Sequence, residues 1–161
     1  MTPGAADEPG PALAAEARGP LQVLYRELDA AVAAFGPACA VSGRCCRFEE
    51  YGHTLFLTAP EAAVLIEDAP PPVRPLDAGM TCPWQDLKGR CTAREARPLG
   101  CRVYFCDPTY EEQAPMLTER FLDRLRRLVE ERGWPWDYAP LHRHLETSLP
   151  RPTSASTPPT A

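Results

Sequence analysis

Cys39-Ala40-Val41-Ser42-Gly43-Arg44-Cys45-Cys46 is the stretch that decides the fold, because it holds three of the seven cysteines of this 161-residue chain. The other four, Cys82, Cys91, Cys101 and Cys106, form a second group. Cysteine in an ordinary core acts as a small apolar residue, so there is no reason for several cysteines to cluster there. Two groups flanked by arginine, glycine and proline are more typical of a site that binds metal or exchanges electrons.

The cysteine spacings predict a metal site and leave its metal open. Thiolates are soft, charged donors that bind zinc or iron–sulfur clusters, commonly four to a site. The spacings are Cys39-x5-Cys45-Cys46 and Cys82-x8-Cys91-x9-Cys101-x4-Cys106. They match neither the paired spacing of a zinc ribbon nor the ferredoxin pattern. All seven cysteines are therefore candidate ligands for zinc or iron, the latter alone or in an iron–sulfur cluster, with Cys82, Cys91, Cys101 and Cys106 as one expected group.

The adjacent pair Cys45-Cys46 restricts how the first group is used. Neighbouring side chains diverge in a regular strand, so the two thiols share one ion only in a tight turn. They could also serve two ions, or one could be a packing residue. Gly43 just before them gives the backbone the freedom that a turn requires.

The charge around the cysteines differs from that of the whole chain. Residues 82–106 contain more basic than acidic residues (Lys88, Arg90, Arg94, Arg97 and Arg102 against Asp86 and Glu95), and Arg44 and Arg47 bracket Cys45-Cys46. Nearby cations lower the pKa of a thiol and offset the charge of a metal–thiolate site. The alternative is that arginine is simply common in loops.

The net charge of −5 argues against a general nucleic-acid binder. No apolar run is long enough for a membrane span, and the acidic start lacks a signal-peptide pattern. We therefore expect a cytoplasmic protein, where clustered thiols bind metal more often than they form disulfides. An odd number of cysteines also fits a closed disulfide framework poorly. The sequence indicates a metal ion as partner and leaves any protein partner unknown.

The pattern predicts a mainly α, small single domain with irregular metal-organised cysteine loops and at most a minor strand or hairpin. Residues 1–19 and 147–161 lack apolar periodicity and are expected to be disordered tails around a domain at 20–146. Apolar residues at helical spacing predict a helix from Leu21 to Phe35 and another over 115–132. After a short strand over 52–58, Thr58 and Glu61 form a capping box at the start of a third helix, which carries Ala62, Val64, Leu65 and Ile66 and stops before Pro70.

Histidine and tryptophan are weaker candidates. His53 could ligate a metal, but a lone histidine beside a short strand is more often a packed or surface residue. The offset of His142 and His144 does not put them on one helical face, so we interpret them as surface residues. Trp134 and Trp136 are expected to cover a small core.

Taken together, these motifs resemble the YkgJ-like cysteine-cluster family, described as zinc- or iron-chelating domains. The family pattern is CxxCGxCC, a threonine–glutamate helix start, a CP-aromatic segment, G-x-C and R-P-x-x-C-R. The corresponding residues lie within 39–106, at Cys39…Gly43…Cys45-Cys46, Thr58…Glu61, Cys82-Pro83-Trp84, Gly89-Arg90-Cys91, Arg97-Pro98-Leu99-Gly100-Cys101-Arg102 and Cys106. The resemblance implies metal chelation through these cysteines.

The chain departs from that pattern at Ser42, where the family has its second cysteine. If the family has two four-ligand sites, one is short of a ligand here, and water, a carboxylate, His53 or a substrate could complete it. An open position is what a catalytic metal needs. Alternatively that cysteine is dispensable, and one four-cysteine site with three bystanders suffices.

Three functions follow from the sequence. The first is a metal-binding protein in which zinc or iron is chelated by thiolates. The second is an iron–sulfur electron carrier or oxidoreductase component, a label carried over by the resemblance. The third is enzymatic, because a similar cysteine domain resembles part of flagellin lysine methylases, although this chain has no glycine-rich loop for a methyl donor.

Overall fold

The computed structural model describes residues 9–38, 43–75 and 81–148. Cys39, Ser42 and the tail residues 1–8 and 149–161 lie outside them. The described part is mainly helical, as predicted, with a small two-stranded sheet. Its elements in chain order are α1 (Pro9–Ala33), β1 (Phe56–Leu57), α2 (Ala59–Asp68), α3 (Leu99–Val103), α4 (Ala114–Arg132), β2 (Ala139–Pro140) and α5 (Leu141–Ser148), with 3₁₀ turns at Arg44–Cys46 and Arg94–Ala96.

Helix α1 begins at Pro9, so the expectation of disorder over 1–19 was wrong for residues 9–19. Ala14 and Ala17 are fully buried and continue the stripe of Leu21 towards the N-terminus. A stripe of alanine has good helix propensity but little apolar signal, and Pro20 inside the helix obscures the periodicity. The guanidinium of Arg18 also pairs with Asp68 at the end of α2, at 2.6 Å.

The two other predicted helices are confirmed. Thr58 and Glu61 form the capping box of α2, with both reciprocal hydrogen bonds present. Helix α4 ends at Gly133, which adopts the left-handed conformation, and buries the expected stripe of Leu117, Phe121, Leu125 and Val129. Trp134 and Trp136 pack against the same core, as predicted.

Strand β1 confirms the minor strand, and its partner was not foreseen. Phe56 and Leu57 pair antiparallel with Pro140 and Ala139. Helix α5 follows at once and includes Thr147 and Ser148, which were placed in the C-terminal tail. Interpreting both histidines of α5 as surface residues was wrong, because His144 is buried with its Nε2 2.9 Å from the Leu57 carbonyl oxygen, and His142 is half-buried.

The buried residues form two clusters. The larger lies among α1, α2, α3 and α4. The smaller contains cysteines and aromatic residues between the 3₁₀ turns, α2 and α5, and its members include Cys46, Phe48, Leu65, Cys82, Trp84, Ala93 and Leu145. No helix in the described ranges has the length and apolar character needed to cross a membrane.

Candidate metal centre

Six of the seven cysteines line one cavity of about 250 Å³ in the smaller cluster. Cys46 and Cys82 are buried, whereas the other four are half-buried (Cys45, Cys91, Cys101 and Cys106). They come from the turn after Gly43, the loop after residue 81, the bridge at Cys91, helix α3 and the segment after it. The fold therefore brings together both cysteine groups, except for Cys39, which lies outside the described residues.

The turn that carries Cys45 and Cys46 depends on Gly43. This glycine has φ +73°, and a Cβ there would lie 2.5 Å from Gln85 Nε2 and 2.9 Å from the Gly89 carbonyl oxygen. Its carbonyl accepts hydrogen bonds from Cys46 N at 3.2 Å and from Gln85 Nε2 at 2.9 Å. Gly43 therefore lets the cysteine turn pack directly against the loop of the second cysteine group.

We expect Gly43→Ala to lower the free energy of unfolding by about 2–3 kcal/mol, because it adds a backbone clash to an unfavourable φ. Gly133→Ala is the matched control. It has φ +66° with no atom within 4 Å of its added Cβ, so it should cost only about 1 kcal/mol. Urea denaturation measures both changes, and equal losses would show that the close packing around Gly43 is unimportant.

A tight hairpin positions Cys82 and Cys91. Gln85 and Cys91 form an antiparallel bridge, and Thr92 N donates to the Trp84 carbonyl oxygen at 2.8 Å. Cys82 N donates to the Cys46 carbonyl oxygen at 2.7 Å. The two cysteine groups are thus joined by backbone hydrogen bonds as well as by the common cavity.

Helix α3 carries Cys101 and is held by a buried carboxylate. Glu61 Oε1 accepts from the backbone N–H of Leu99, in the first turn of α3, at 2.8 Å. The same oxygen accepts from the Tyr25 hydroxyl of α1 at 3.0 Å. The capping box predicted a role for Glu61 at α2, but no sequence signal indicated that it also holds α1 and α3.

The sequence grouped Arg102 with the cations near the cysteines, and the structure uses it elsewhere. Its guanidinium is almost buried, donates to Asp29 of α1 at 2.8 Å and lies 4.3 Å from the centre of the Tyr25 ring. The basic residues that line the cavity are instead Arg90, Arg94 and Arg97.

His53 lies beside the cysteine turn. Its Nε2 is 3.2 Å from the Cys45 carbonyl oxygen, and its ring stacks on Tyr104 with the centroids 5.0 Å apart. His53 is therefore a packed residue that supports the turn, which is the more common of the two roles expected for it.

A further hydrogen bond joins the segments that carry the first and the last cysteine. The backbone N–H of Ala38, the residue before Cys39, donates to the carboxylate of Asp107, the residue after Cys106, at 2.9 Å.

The donor set fits a thiophilic metal in kind. Cys45 Sγ and Cys46 Sγ are 3.8 Å apart, and two sulfurs on a tetrahedral zinc with bonds of about 2.3 Å lie roughly 3.8 Å apart. The distance between these two sulfurs is therefore compatible with a shared ion. Within 9–38, 43–75 and 81–148, however, no group of three or more Cys, His, Asp or Glu side chains is arranged so that it could hold a metal ion.

Burial and mutual repulsion favour the protonated thiols in this arrangement. Burial raises the pKa of Cys101 well above its ordinary value, and the charges of Cys46, Cys91 and Cys45 add to that rise. The hydrogen bond with Cys45 lowers the pKa of Cys46, but the bond with Cys82 and burial outweigh it and raise the value to about 12. Burial likewise raises the pKa of Cys91.

The arginines lower the pKa of the thiols, as predicted, but other effects raise it by more. Arg97 lowers the pKa of Cys45, Cys91 and Cys101, whereas each thiol still ends above its ordinary value. The net direction is therefore opposite to the one expected from the local charge. A bound cation would reverse it, because metal ions select the thiolate and release its proton.

No family model, no curated protein and no solved structure matches the chain. The resemblance to the cysteine-cluster family consequently stays a prediction that depends on the quoted motifs.

Proposed function

We propose that this protein is a metal-binding cysteine-cluster protein that chelates zinc or iron through cysteine thiolates. One observation carries the proposal: cysteines as far apart in sequence as Cys45 and Cys106 line the same cavity. Cysteines that served only as small apolar residues would have no reason to collect in one place. Sulfur is the donor that zinc, iron–sulfur clusters and other thiophilic centres prefer.

The proposed metal would also organise this end of the molecule. The smaller core joins the cysteine turn, the hairpin and the aromatic residues Phe48 and Trp84 to residues of α2 and α5. The turn and the hairpin contain little regular secondary structure, so metal–sulfur bonds would add to the contacts that hold them against the helices.

An iron–sulfur electron carrier or oxidoreductase component is the second candidate. Two observations favour it: the cavity of about 250 Å³ is large for one ion, and six sulfurs line it. Four cysteines suffice for a cluster. The aromatic walls from Trp84 and Phe105 would keep such a cluster out of water.

Elemental analysis and a visible spectrum of protein purified without oxygen test the proposal. Zinc without colour supports a zinc site that organises the fold, whereas iron with acid-labile sulfide and a broad visible absorption supports the cluster. Protein that contains neither metal, and takes up neither when they are supplied to the reduced protein, contradicts the proposal.

A further inference from the structure

The cavity that collects the thiols also has an unusual charge. Three of its lining residues are arginines (Arg90, Arg94 and Arg97), and none of the lining residues within 9–38, 43–75 and 81–148 is acidic. The chain as a whole has a net charge of −5. A site that took up a hydrated cation directly would be expected to present carboxylates at its opening, since charges of one sign in a cleft attract ligands of the other sign.

Backbone hydrogen bonds fix the position of Arg90 in the chain, and the guanidinium of Arg97 is itself hydrogen-bonded. Arg90 N donates to Asp86 Oδ1 at 2.8 Å, and its carbonyl accepts from Asp86 N at 2.9 Å. Arg97 Nε donates to the Arg94 carbonyl oxygen at 2.9 Å, across the 3₁₀ turn between Ala93 and Arg97. The Arg97 guanidinium is thus pre-organised, which reduces the entropy that it loses when a ligand binds, whereas the side chains of Arg90 and Arg94 are exposed.

The nearby carboxylates compensate these guanidinium groups only in part: the charge of Arg90 helps to lower the pKa of Asp86. None of the three takes part in an ion pair within 4 Å in the described part of the chain. Asp86 is the acidic residue beside Arg90, and its Oδ1 is already used by the backbone N–H groups of Lys88 and Arg90. Glu95 is exposed, and within the described residues its carboxylate forms no ion pair with these arginines.

We propose that Arg90, Arg94 and Arg97 form an anion-binding rim, so that the cavity takes its metal from a negatively charged carboxylate complex and not as a hydrated cation. This inference rests on the proposed metal-binding function. Guanidinium groups bind carboxylates with matched, often bidentate geometry. In the exchange each new sulfur–metal bond replaces a carboxylate–metal bond, the thiol proton passes to solvent, and no electron is transferred.

The test measures metal uptake by the reduced protein from the nitrilotriacetate complex of zinc, or of iron(II) if the isolated protein contains iron. Metal and chelator are raised together, which keeps the free metal constant while the concentration of the anionic complex increases. Uptake is followed by elemental analysis after rapid gel filtration. We expect the rate to rise with the complex at constant free metal, and to fall with ionic strength because screening weakens steering.

A variant with Arg90→Gln, Arg94→Gln and Arg97→Gln should slow uptake from the complex by about tenfold. Its final metal content should match that of the unchanged protein, and its rate with the hydrated ion should be equal or higher, because less positive charge repels the cation. A second variant with Arg120→Gln, Arg126→Gln and Arg127→Gln changes the net charge equally on α4, away from the cavity, and should leave both rates unchanged.

Three outcomes would overturn the inference alone. Uptake that depends only on free metal would show that the complex does not deliver it. An equal slowing for both metal sources, or a lower final content, would show that the arginines only offset the charge of bound thiolates. In each case the proposed function stands, because metal still binds. If the unchanged protein binds no metal from either source, the proposed function fails and this inference fails with it.

Discussion

Replacing Cys101 with serine is expected to lower metal affinity by more than about 100-fold. Loss of a residue that only orients a metal ligand typically costs 10–100-fold, and Cys101 would be a ligand itself. Its thiol lines the cavity, and the charges of Cys45, Cys46 and Cys91 all act on it. Serine keeps the size and replaces a soft donor with a hard one. Competition with a chelator of known affinity gives the change.

Ala93→Ser is the matched control for this substitution. Ala93 is buried and lines the same cavity, so the change adds a hydroxyl to the wall and removes no sulfur. Far-UV circular dichroism should show intact helices in both variants, because α1, α2 and α4 pack in the other core. Full metal content in Cys101→Ser, or an equal loss in Ala93→Ser, would show that Cys101 is not a ligand.

The second large effect is expected at Glu61. Glu61→Ala should lower the free energy of unfolding by about 4 kcal/mol, because it leaves several buried donors without an acceptor. Those donors are the backbone N–H groups of Thr58 and Leu99 and the Tyr25 hydroxyl. Thr58 caps α2, Tyr25 belongs to α1 and Leu99 belongs to α3. The substitution therefore weakens the contact of α2 with both α1 and α3.

Urea denaturation measures this effect, with two companion variants. Glu67→Ala removes an exposed carboxylate from the same helix and should change stability by less than about 0.5 kcal/mol. Glu61→Gln keeps the shape and one acceptor, so it remains measurable if Glu61→Ala does not fold. A loss in Glu61→Ala no greater than that in Glu67→Ala would contradict the proposed role of the buried carboxylate.

Glu61 also predicts a dependence of stability on pH. Burial raises its pKa in the folded protein, against the lowering effect of its hydrogen bonds. The folded state thus keeps a proton that the unfolded chain, with a pKa of about 4.3, has already lost. The free energy of unfolding should therefore fall as pH rises from about 4.3 through the raised pKa. Glu61→Gln should abolish this contribution, and an unchanged slope would contradict it.

Local patterns predicted the helices well where the apolar residues were large. Leu117, Phe121 and Leu125 repeat at helical spacing, and Thr58 with Glu61 defines a helix start from four residues alone. The first part of α1 escaped because Ala14 and Ala17 contribute little to the pattern, although both are fully buried. The helical structure of this segment depends on helix propensity and on contacts with residues distant in the chain. Helix propensity can be recognised in the sequence, whereas those contacts cannot.

The arrangement of the candidate site could not be predicted from the sequence. The sequence named the cysteines, whereas their common cavity depends on backbone hydrogen bonds between segments far apart in the chain, such as Cys82 N to the Cys46 carbonyl oxygen. The same holds for β2, which exists only because Pro140 pairs with Phe56. Arg102 shows the converse error, since closeness in sequence to Cys101 did not place its guanidinium in the cavity.

X-ray absorption spectroscopy of the metal-loaded protein tests the central claim most directly, because it identifies the atoms bound to the metal. If the cavity thiols hold zinc, the metal should show a shell of sulfur neighbours at about 2.3 Å. An iron–sulfur cluster should add a second, iron shell to the sulfur shell. A shell made only of nitrogen and oxygen neighbours at about 2.0–2.2 Å would contradict the account.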